Sequence, residues 1–300
     1  KSTGSAEGSR HGRLMFDIGA HIGQSASYFL GHGFKVVAVE ANPEACKRIR
    51  ESFCAFLDSG QLVLEEKAVW REHGRKIDFY VNEEDSEWSS VFQAVGGRFD
   101  TECRVFSVET CTMFSLYETY GCPQYIKVDI EGGDEMCLQQ LKDLRPPEIL
   151  SFECNSLSWV GMAQELGYDA FKLVPQSSFL AEGVEWSHRV WHSGPEGDEA
   201  LNVDGDKSWC SREELEEQIR DRFVVHSSTG VDEFLRSARP FMQHDFAVLQ
   251  AVFPIESKDE QEWYDIYCTM KRNRRKEGRW ERESEKEGER EGRERQRQRR

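Results

Sequence analysis

The chain has 300 residues, of which 38% are apolar and 11% aromatic, and its formal net charge is −16. This apolar content is enough for the hydrophobic core of one large domain or two small ones. The acidic charge argues against nucleic acid and anionic membrane surfaces as partners, because binding to either depends on Lys and Arg. Small neutral or cationic molecules suit the charge better.

The cysteine pattern and the hydropathy exclude further classes. Nine cysteines occur without a C-x-x-C pair, which argues against zinc ribbons and thioredoxin-like redox motifs. Reduced thiols in the cytoplasm are therefore expected. No apolar run reaches the roughly 18 residues that a membrane span needs, and no signal peptide opens the chain. Because the sequence begins with Lys1 rather than Met, upstream sequence is expected to be missing.

The opening segment predicts a strand, a glycine-rich turn, a helix and a second strand. Residues 17–23 have the spacing D-x-G-x-x-x-G, whereas a dinucleotide site has G-x-G-x-x-G. Glu40 ends the second apolar run, where its carboxylate can accept hydrogen bonds from both hydroxyls of a ribose. The pattern favours a nucleoside cofactor without a pyrophosphate, such as S-adenosylmethionine. A tight turn without a ligand is the alternative, since Gly adopts backbone angles that other residues resist.

Strands and helices then alternate along the chain. Asn42 and Pro43 predict a helix start, because Asn caps helices and Pro suits the first helical position. We predict helices at 24–30, 134–141 and 158–166, and strands at 62–69 (the third strand), 76–81, 105–108, 125–131, 149–153 and 168–174. This alternation predicts a mostly parallel α/β sheet with helices on both faces and ligands beyond the carboxyl ends of the strands.

The pattern weakens after the predicted core, which spans 14–174. We interpret 175–254 as an insertion with one helix at 211–223, and 262–269 as a last strand that returns to the sheet. Within the insertion, 191–198 is rich in turn residues and could close over a substrate or be a surface excursion. Residues 1–270 are thus predicted to form one domain. The Arg- and Glu-rich tail, 271–300, is predicted to be disordered or a lone charged helix.

Three charged residues alternate along one predicted strand. Lys127, Asp129 and Glu131 would share a face of that strand and meet at the mouth of the sheet. Methyl transfer requires a positioned acceptor and removal of its proton, for which Asp129 or Glu131 could be the base. Lys127 could orient the carboxylates or act as the base itself. A purely structural ion-paired cluster is the alternative.

Polar residues also end the neighbouring predicted strand. Glu153 and Asn155, together with Asp129, could supply oxygen ligands to Mg²⁺, as in catechol-type methyltransferases. We favour a metal-free pocket in which Glu153 and Asn155 bind the substrate, because carboxylates at strand ends are common in α/β sites. No residue is assigned to a metal.

Three further positions carry open alternatives. His21 in the first turn could touch the cofactor or substrate, or cap a backbone carbonyl. Glu65 and Glu66 end the first apolar run of the third strand, where an acceptor for the adenine amino group would lie, although consecutive acids are often simply solvated. Residues 88–90 (Trp-Ser-Ser) could form a lid over the pocket or an ordinary loop.

Four motifs in this order resemble the FkbM family of S-adenosylmethionine-dependent methyltransferases: DIGAHIG at 17–23, VEANP at 39–43, IKVDIEGGD at 126–134 and Phe152-Glu153. The resemblance covers 14–174. It implies a seven-stranded, Rossmann-like class I methyltransferase sheet whose last strand is antiparallel. It also implies O-methylation of sugars or other small hydroxylated metabolites.

The resemblance assigns the cofactor to Asp17, Gly19, Gly23 and Glu40, and the acceptor to the segment from Lys127 to Glu131. Ala20, His21 and Glu66 complete the predicted cofactor site. His21 and Glu66 stand where the family usually has Asn, and Asp134 replaces the last Glu of its K-x-D-x-E-G-x-E signature.

Two alternative functions follow from particular residues. The departures at His21 and Glu66 would fit a non-catalytic cofactor-binding module. Glu40 alone would fit a nicotinamide-dependent oxidoreductase, against which the missing G-x-G-x-x-G argues. No residue reports the oligomeric state.

Overall fold

The computed structural model describes residues 13–175, 209–225, 255–257 and 264–270. The strands in this part of the chain are β1 (Leu14–Ile18), β2 (Lys35–Val39), β3 (Leu62–Glu65), β4 (Lys67–Val69), β5 (Lys76–Asn82), β6 (Cys103–Cys111), β7 (Tyr125–Val128), β8 (Ile149–Glu153), β9 (Ala170–Pro175), β10 (Phe223–Val225), β11 (Ile255–Ser257) and β12 (Tyr264–Thr269). The helices are α1 (Gln24–Gly31), α2 (Pro43–Ser52), α3 (Cys54–Ser59), α4 (Gln93–Gly96), α5 (Met113–Tyr120), α6 (Asp134–Leu141), α7 (Leu157–Glu165) and α8 (Arg212–Arg222).

Within the described residues, seven strands form the main sheet in the order β3-β2-β1-β7-β8-β12-β9. Strand β1 pairs in parallel with β2 and β7, whereas β12 is antiparallel to β8 and β9. This order, with its antiparallel β12 inserted before β9, is the Rossmann-like sheet of class I methyltransferases. The predicted fold class is therefore confirmed.

Alternation along the central strands divides the core between two faces of the sheet. Phe16 and Ile18 of β1 pack in one cluster with residues of α5, α6 and α7, while Met15 packs in another with residues of α1. The central strands are mainly apolar because helices cover both of their faces. The rigid sheet thereby fixes the positions of the polar residues that follow each strand.

The helix starts are set by local sequence. The side chain of Asn42 accepts a hydrogen bond from the backbone N of Glu44, with Pro43 at the first helical position. This cap begins α2 where the sequence predicted it. The helical pattern is interrupted at Phe53, which separates α2 from α3.

The third predicted strand, 62–69, is wrong in its extent. Strand β3 belongs to the main sheet, but β4 pairs with β6 in a separate three-stranded sheet of order β4-β6-β5. The chain changes sheet at Glu66, whose carboxylate forms an ion pair with Arg50. The two apolar runs that were predicted to form one strand therefore belong to two different sheets.

The strand predicted at 125–131 is too long. Strand β7 ends at Val128, and Glu131 follows in a left-handed turn with φ of 50°. Lys127, Asp129 and Glu131 therefore do not share a strand face, and a turn rather than β alternation places the two acids.

The structure describes only part of the predicted insertion, mainly residues 209–225. Leu215 and Ile219 of α8 are fully buried in the core cluster that includes Trp159. Residues 191–198 and the charged tail, 271–300, lie outside the described residues. No helix of the described part is long and apolar enough to cross a membrane.

Candidate active site

The glycine-rich turn lies between the ends of β1 and β2. Gly19 and Gly23 have φ of 86° and 89°, in the left-handed region that favours glycine. The backbone N atoms of Gly19 and Ala20 donate to the carbonyl oxygen of Val39, at 2.9 and 3.1 Å. These bonds hold the turn against the second strand, next to Glu40.

Glu40 is 7% exposed and follows β2. Its Oε2 accepts from the backbone N of His21 at 2.7 Å, and its Oε1 accepts from that of Asn42 at 2.6 Å. Burial raises the pKa of Glu40 to about 7, against the opposing effect of these hydrogen bonds. Each carboxylate oxygen has two lone pairs, so both can accept a further hydroxyl.

A cavity of about 310 Å³ opens at the carboxyl ends of the parallel strands. Eight predicted site residues line it: Gly19, Ala20, His21, Glu40, Lys127, Asp129, Glu131 and Glu153. The structure thus brings the predicted cofactor turn and the predicted chemical residues to one space. A cavity at this edge of an α/β sheet is where such folds bind ligands.

Four predicted site residues do not line the cavity. Asp17 is buried at the end of β1, and Gly23 packs so closely on Phe53 that a Cβ atom there would lie 2.7 Å from the ring. Asn155 is 6% exposed and donates from Nδ2 to Oε2 of Glu153 at 2.6 Å. Glu66 pairs with Arg50 outside the cavity. The structure therefore does not bring Glu66 to the predicted cofactor site.

Three carboxylates meet at the ends of β7 and β8. One oxygen from each of Asp129, Glu131 and Glu153 lies within 4.8 Å of the others, a spacing that could hold a metal ion. Lys127 Nζ donates to Asp129 Oδ2 at 3.0 Å. Burial, and to a smaller extent the nearby Glu131 carboxylate, raises the pKa of Glu153 well above its usual range.

The segment between β5 and β6 lines part of the cavity. Trp88 and Ser89 line it, and Ser90 Oγ donates to the carbonyl oxygen of Glu131 at 2.7 Å. His21 Nε2 lies 2.8 Å from Ser86 Oγ, which joins this segment to the glycine turn. Burial lowers the pKa of His21 to about 4, so the ring is neutral near pH 7.

Sequence reasoning missed several charged residues in this cavity. Arg98 forms an ion pair with Glu131, and its guanidinium lies 5.3 Å from the Trp88 ring centroid. Asp265 of β12 is 6% exposed and stands opposite Glu153 in the strand register. An acid inside an apolar strand was a usable signal for Asp265. Nothing local marks Arg98, which belongs to a segment far from the motifs.

Buried acids predict a pH-dependent stability of the ligand-free protein. The pKa values of Glu40, Glu131 and Asp134 are raised to about 7, mainly by burial. The folded state therefore binds more protons than the unfolded state between the ordinary carboxyl pKa and about 7. This stability is present below the ordinary pKa and is lost as pH rises through about 7.

We accordingly expect the melting temperature to fall by about 5 °C or more between about pH 5.5 and pH 8. Differential scanning fluorimetry across that range measures the fall. Asp134→Asn should flatten the dependence, whereas Glu165→Gln, at an exposed ion pair with Lys142, should leave it unchanged. A melting temperature that rises with pH would contradict the expectation.

Comparisons with known proteins add the following findings. A family model described as the methyltransferase FkbM domain matches residues 17–169. A comparison with curated proteins gives no match. Among solved structures, the chain is similar to precorrin-6y C5,15-methyltransferase from Geobacter metallireducens, at 14% identity over 60% of this chain and 72% of that one, with a TM-score of 0.31.

Two further structures are similar to the chain. Phosphoethanolamine N-methyltransferase 2 from Haemonchus contortus, in complex with S-adenosyl-L-methionine, is 11% identical over 88% of this chain and 50% of that one, with a TM-score of 0.34. An O-methyltransferase from a Brevibacillus brevis multienzyme, in complex with S-adenosyl-L-homocysteine, is 7% identical over 86% and 66%, with a TM-score of 0.33. These likenesses are weak, and nothing about the acceptor follows from them.

Proposed function

Because the chain belongs to the FkbM methyltransferase family, we propose that it uses S-adenosylmethionine to methylate a hydroxyl group on a sugar or another small metabolite. We also propose that 14–174 and 262–269 form its catalytic core, with 175–254 inserted and 271–300 appended as a charged tail.

The observation that carries the proposal is the position of Glu40 beside the glycine-rich turn, in one cavity with Lys127 and the carboxylates. Glu40 is held by backbone donors from His21 and Asn42, so its orientation is fixed before any ligand binds. A ribose with two free hydroxyls matches its remaining lone pairs. We therefore assign Glu40 to the ribose, and the turn residues Gly19, Ala20 and His21 to the rest of the cofactor.

The bound cofactor would supply an electrophilic methyl group. The residues of the chain then have to orient the acceptor and remove its proton. Lys127 fixes the Asp129 carboxylate, and Arg98 fixes that of Glu131. Within the described residues, Glu153 pairs with no cation and is held by Asn155. We propose Asp129 and Glu131 as candidate bases, with Lys127 orienting them, and Glu153 and Asn155 as the acceptor side of the cavity.

The test combines cofactor binding with turnover. Purified protein should bind S-adenosylmethionine by titration calorimetry and release S-adenosylhomocysteine only when a hydroxylated acceptor is present. Asp129→Asn should reduce turnover by about 100-fold or more while the cofactor still binds, since a general base contributes on this scale. Glu165→Gln, which changes one exposed carboxylate of α7, is the control.

The outcomes separate the alternatives. Cofactor binding without turnover across a broad panel of sugars and alcohols would favour a non-catalytic binding module. No binding of S-adenosylmethionine by a protein that melts cooperatively would refute the proposal.

A further inference from the structure

The cavity carries more carboxylates than cations. Among the described residues, those that line it include the acids Glu40, Asp85, Glu87, Asp129, Glu131, Glu153 and Asp265, against the cations Lys67, Arg98 and Lys127. His21 also lines it, but its lowered pKa of about 4 leaves the ring neutral. Among the described residues, seven carboxylates of the lining therefore face three cations.

The cations of the lining are already engaged. Arg98 pairs with Glu131, and Lys127 Nζ lies 3.0 Å from Asp129 Oδ2. Lys67 Nζ lies 2.9 Å from Glu65 Oε2, on a residue outside the lining. These pairs leave the Glu153 carboxylate without a cationic partner among the described residues. The Glu87 side chain is 43% exposed, and its Oε1 lies 3.6 Å from Nδ1 of the neutral His21 ring. A cationic ligand would supply positive charge beside Glu153.

The bound cofactor would place its own charge near these acids. Its sulfur is bonded to the carbon next to the ribose ring, so a ribose at Glu40 leaves the sulfur a few bonds away. The glycine turn leads from Glu40 to the acidic cluster, because Gly19 packs directly on the backbone carbonyl of Asp129. Oxygens of Asp129, Glu131 and Glu153 lie within 4.8 Å of one another at that end.

On the premise of the proposed function, we infer that the cavity binds the sulfonium form of the cofactor in preference to its neutral thioether product. The two forms differ by one methyl group and one positive charge, and among the described residues the lining carboxylate of Glu153 has no paired cation to compete for that charge. During transfer the methyl–sulfur bond breaks and the methyl–oxygen bond forms. The electron pair stays on sulfur, and the hydroxyl proton passes to a cavity carboxylate. Because its sulfur is neutral, the product should bind to the cavity more weakly than the sulfonium form.

Proton release on cofactor binding is a second expected observation. Burial raises the pKa of Glu131 to about 7 against the opposing effect of Arg98. Burial, together with the carboxylates of Glu131 and Asp129, raises the pKa of Glu153 well above its usual range. A cation bound beside them favours the charged carboxylates, so binding should release protons. The charged groups that face them are Arg98, Lys127, Asp129, Asp134, Asp85 and Asp265. The neutral product should release none.

Titration calorimetry with S-adenosylmethionine and S-adenosylhomocysteine tests the inference at about pH 6.0 and pH 7.5. At the higher pH the wild type should bind the sulfonium form about tenfold or more tightly than the product, and at the lower pH the ratio should shrink. Glu153→Gln should shrink the ratio at the higher pH by weakening only the sulfonium form. Glutamine can still accept from Asn155, so the fold should be retained. Glu165→Gln is the charge-matched control, with an unchanged ratio.

Two results would overturn the inference. One is equal affinity for the two forms at the higher pH, and the other is a ratio that stays unchanged in both Glu153→Gln and Asp129→Asn. If Glu153→Gln fails to melt cooperatively, Asp129→Asn carries the test, because Asp129 is more exposed. Failure of the wild type to bind either form would instead refute the proposed function itself.

Discussion

Glu40→Ala is expected to weaken S-adenosylmethionine binding by about 100-fold or more, measured by titration calorimetry. Two hydrogen bonds from ribose hydroxyls to a carboxylate are each worth about 1.5 to 3 kcal/mol. The substitution also removes the acceptor for the backbone N atoms of His21 and Asn42, which hold the turn in place. The loss should therefore exceed that of a ligand contact alone.

Glu40→Gln and Glu66→Ala are the controls that test whether the loss of affinity is specific to the Glu40 carboxylate. Glutamine retains one acceptor oxygen, so Glu40→Gln should bind with intermediate affinity. Glu66 pairs with Arg50 at a half-exposed site, and Glu66→Ala should change cofactor affinity by less than about threefold. A loss at Glu66 equal to that at Glu40 would support the sequence-based adenine contact and contradict the placement in the structure. Unchanged affinity in Glu40→Ala would contradict the ribose assignment.

Local patterns were sufficient to predict most of the sheet. The apolar runs that became β1, β2 and β8 are buried on both faces, so their burial does not depend on details of packing. Asn42 and Pro43 predicted the start of α2 because a cap acts within four residues. The antiparallel β12 came from the family resemblance, since strand direction is not encoded in hydropathy.

Long-range contacts explain what the sequence could not predict. Strand β7 ends early because its next residues turn towards the cavity, where Glu131 adopts φ of 50° and binds Arg98. No local pattern distinguishes that turn from three more residues of strand. The change of sheet after β3 is set by pairing with β6, about forty residues later. Arg98 lies in the segment that joins β5 and β6 of this second sheet, far in sequence from the motifs, so the motifs could not predict its place in the site.

Gly19→Ala is expected to have the largest effect on stability. An added Cβ atom would lie 1.7 Å from the carbonyl oxygen of Asp129 and 2.8 Å from its carbonyl carbon, and φ at this position is +86°. Both groups are backbone at the ends of adjacent parallel strands, so neither side can move without separating β1 from β7. We expect a loss of about 4 kcal/mol or more in the free energy of unfolding, seen as a melting temperature lowered by about 10 °C or as failure to fold.

Gly60→Ala is the control that separates the steric clash of the added Cβ atom from the cost of placing Ala in a left-handed backbone conformation. Gly60 also has a positive φ, of 72°, but its added Cβ would meet nothing within 4 Å. Its substitution should cost about 1 kcal/mol, or about 2 to 4 °C in melting temperature. Because the two positions share the left-handed backbone, the excess at Gly19 measures the contact with Asp129. If Gly19→Ala were no worse than Gly60→Ala, then the turn and the Asp129 backbone would not be in contact. The placement of Glu40 and the acidic cluster on either side of the glycine turn would then be wrong.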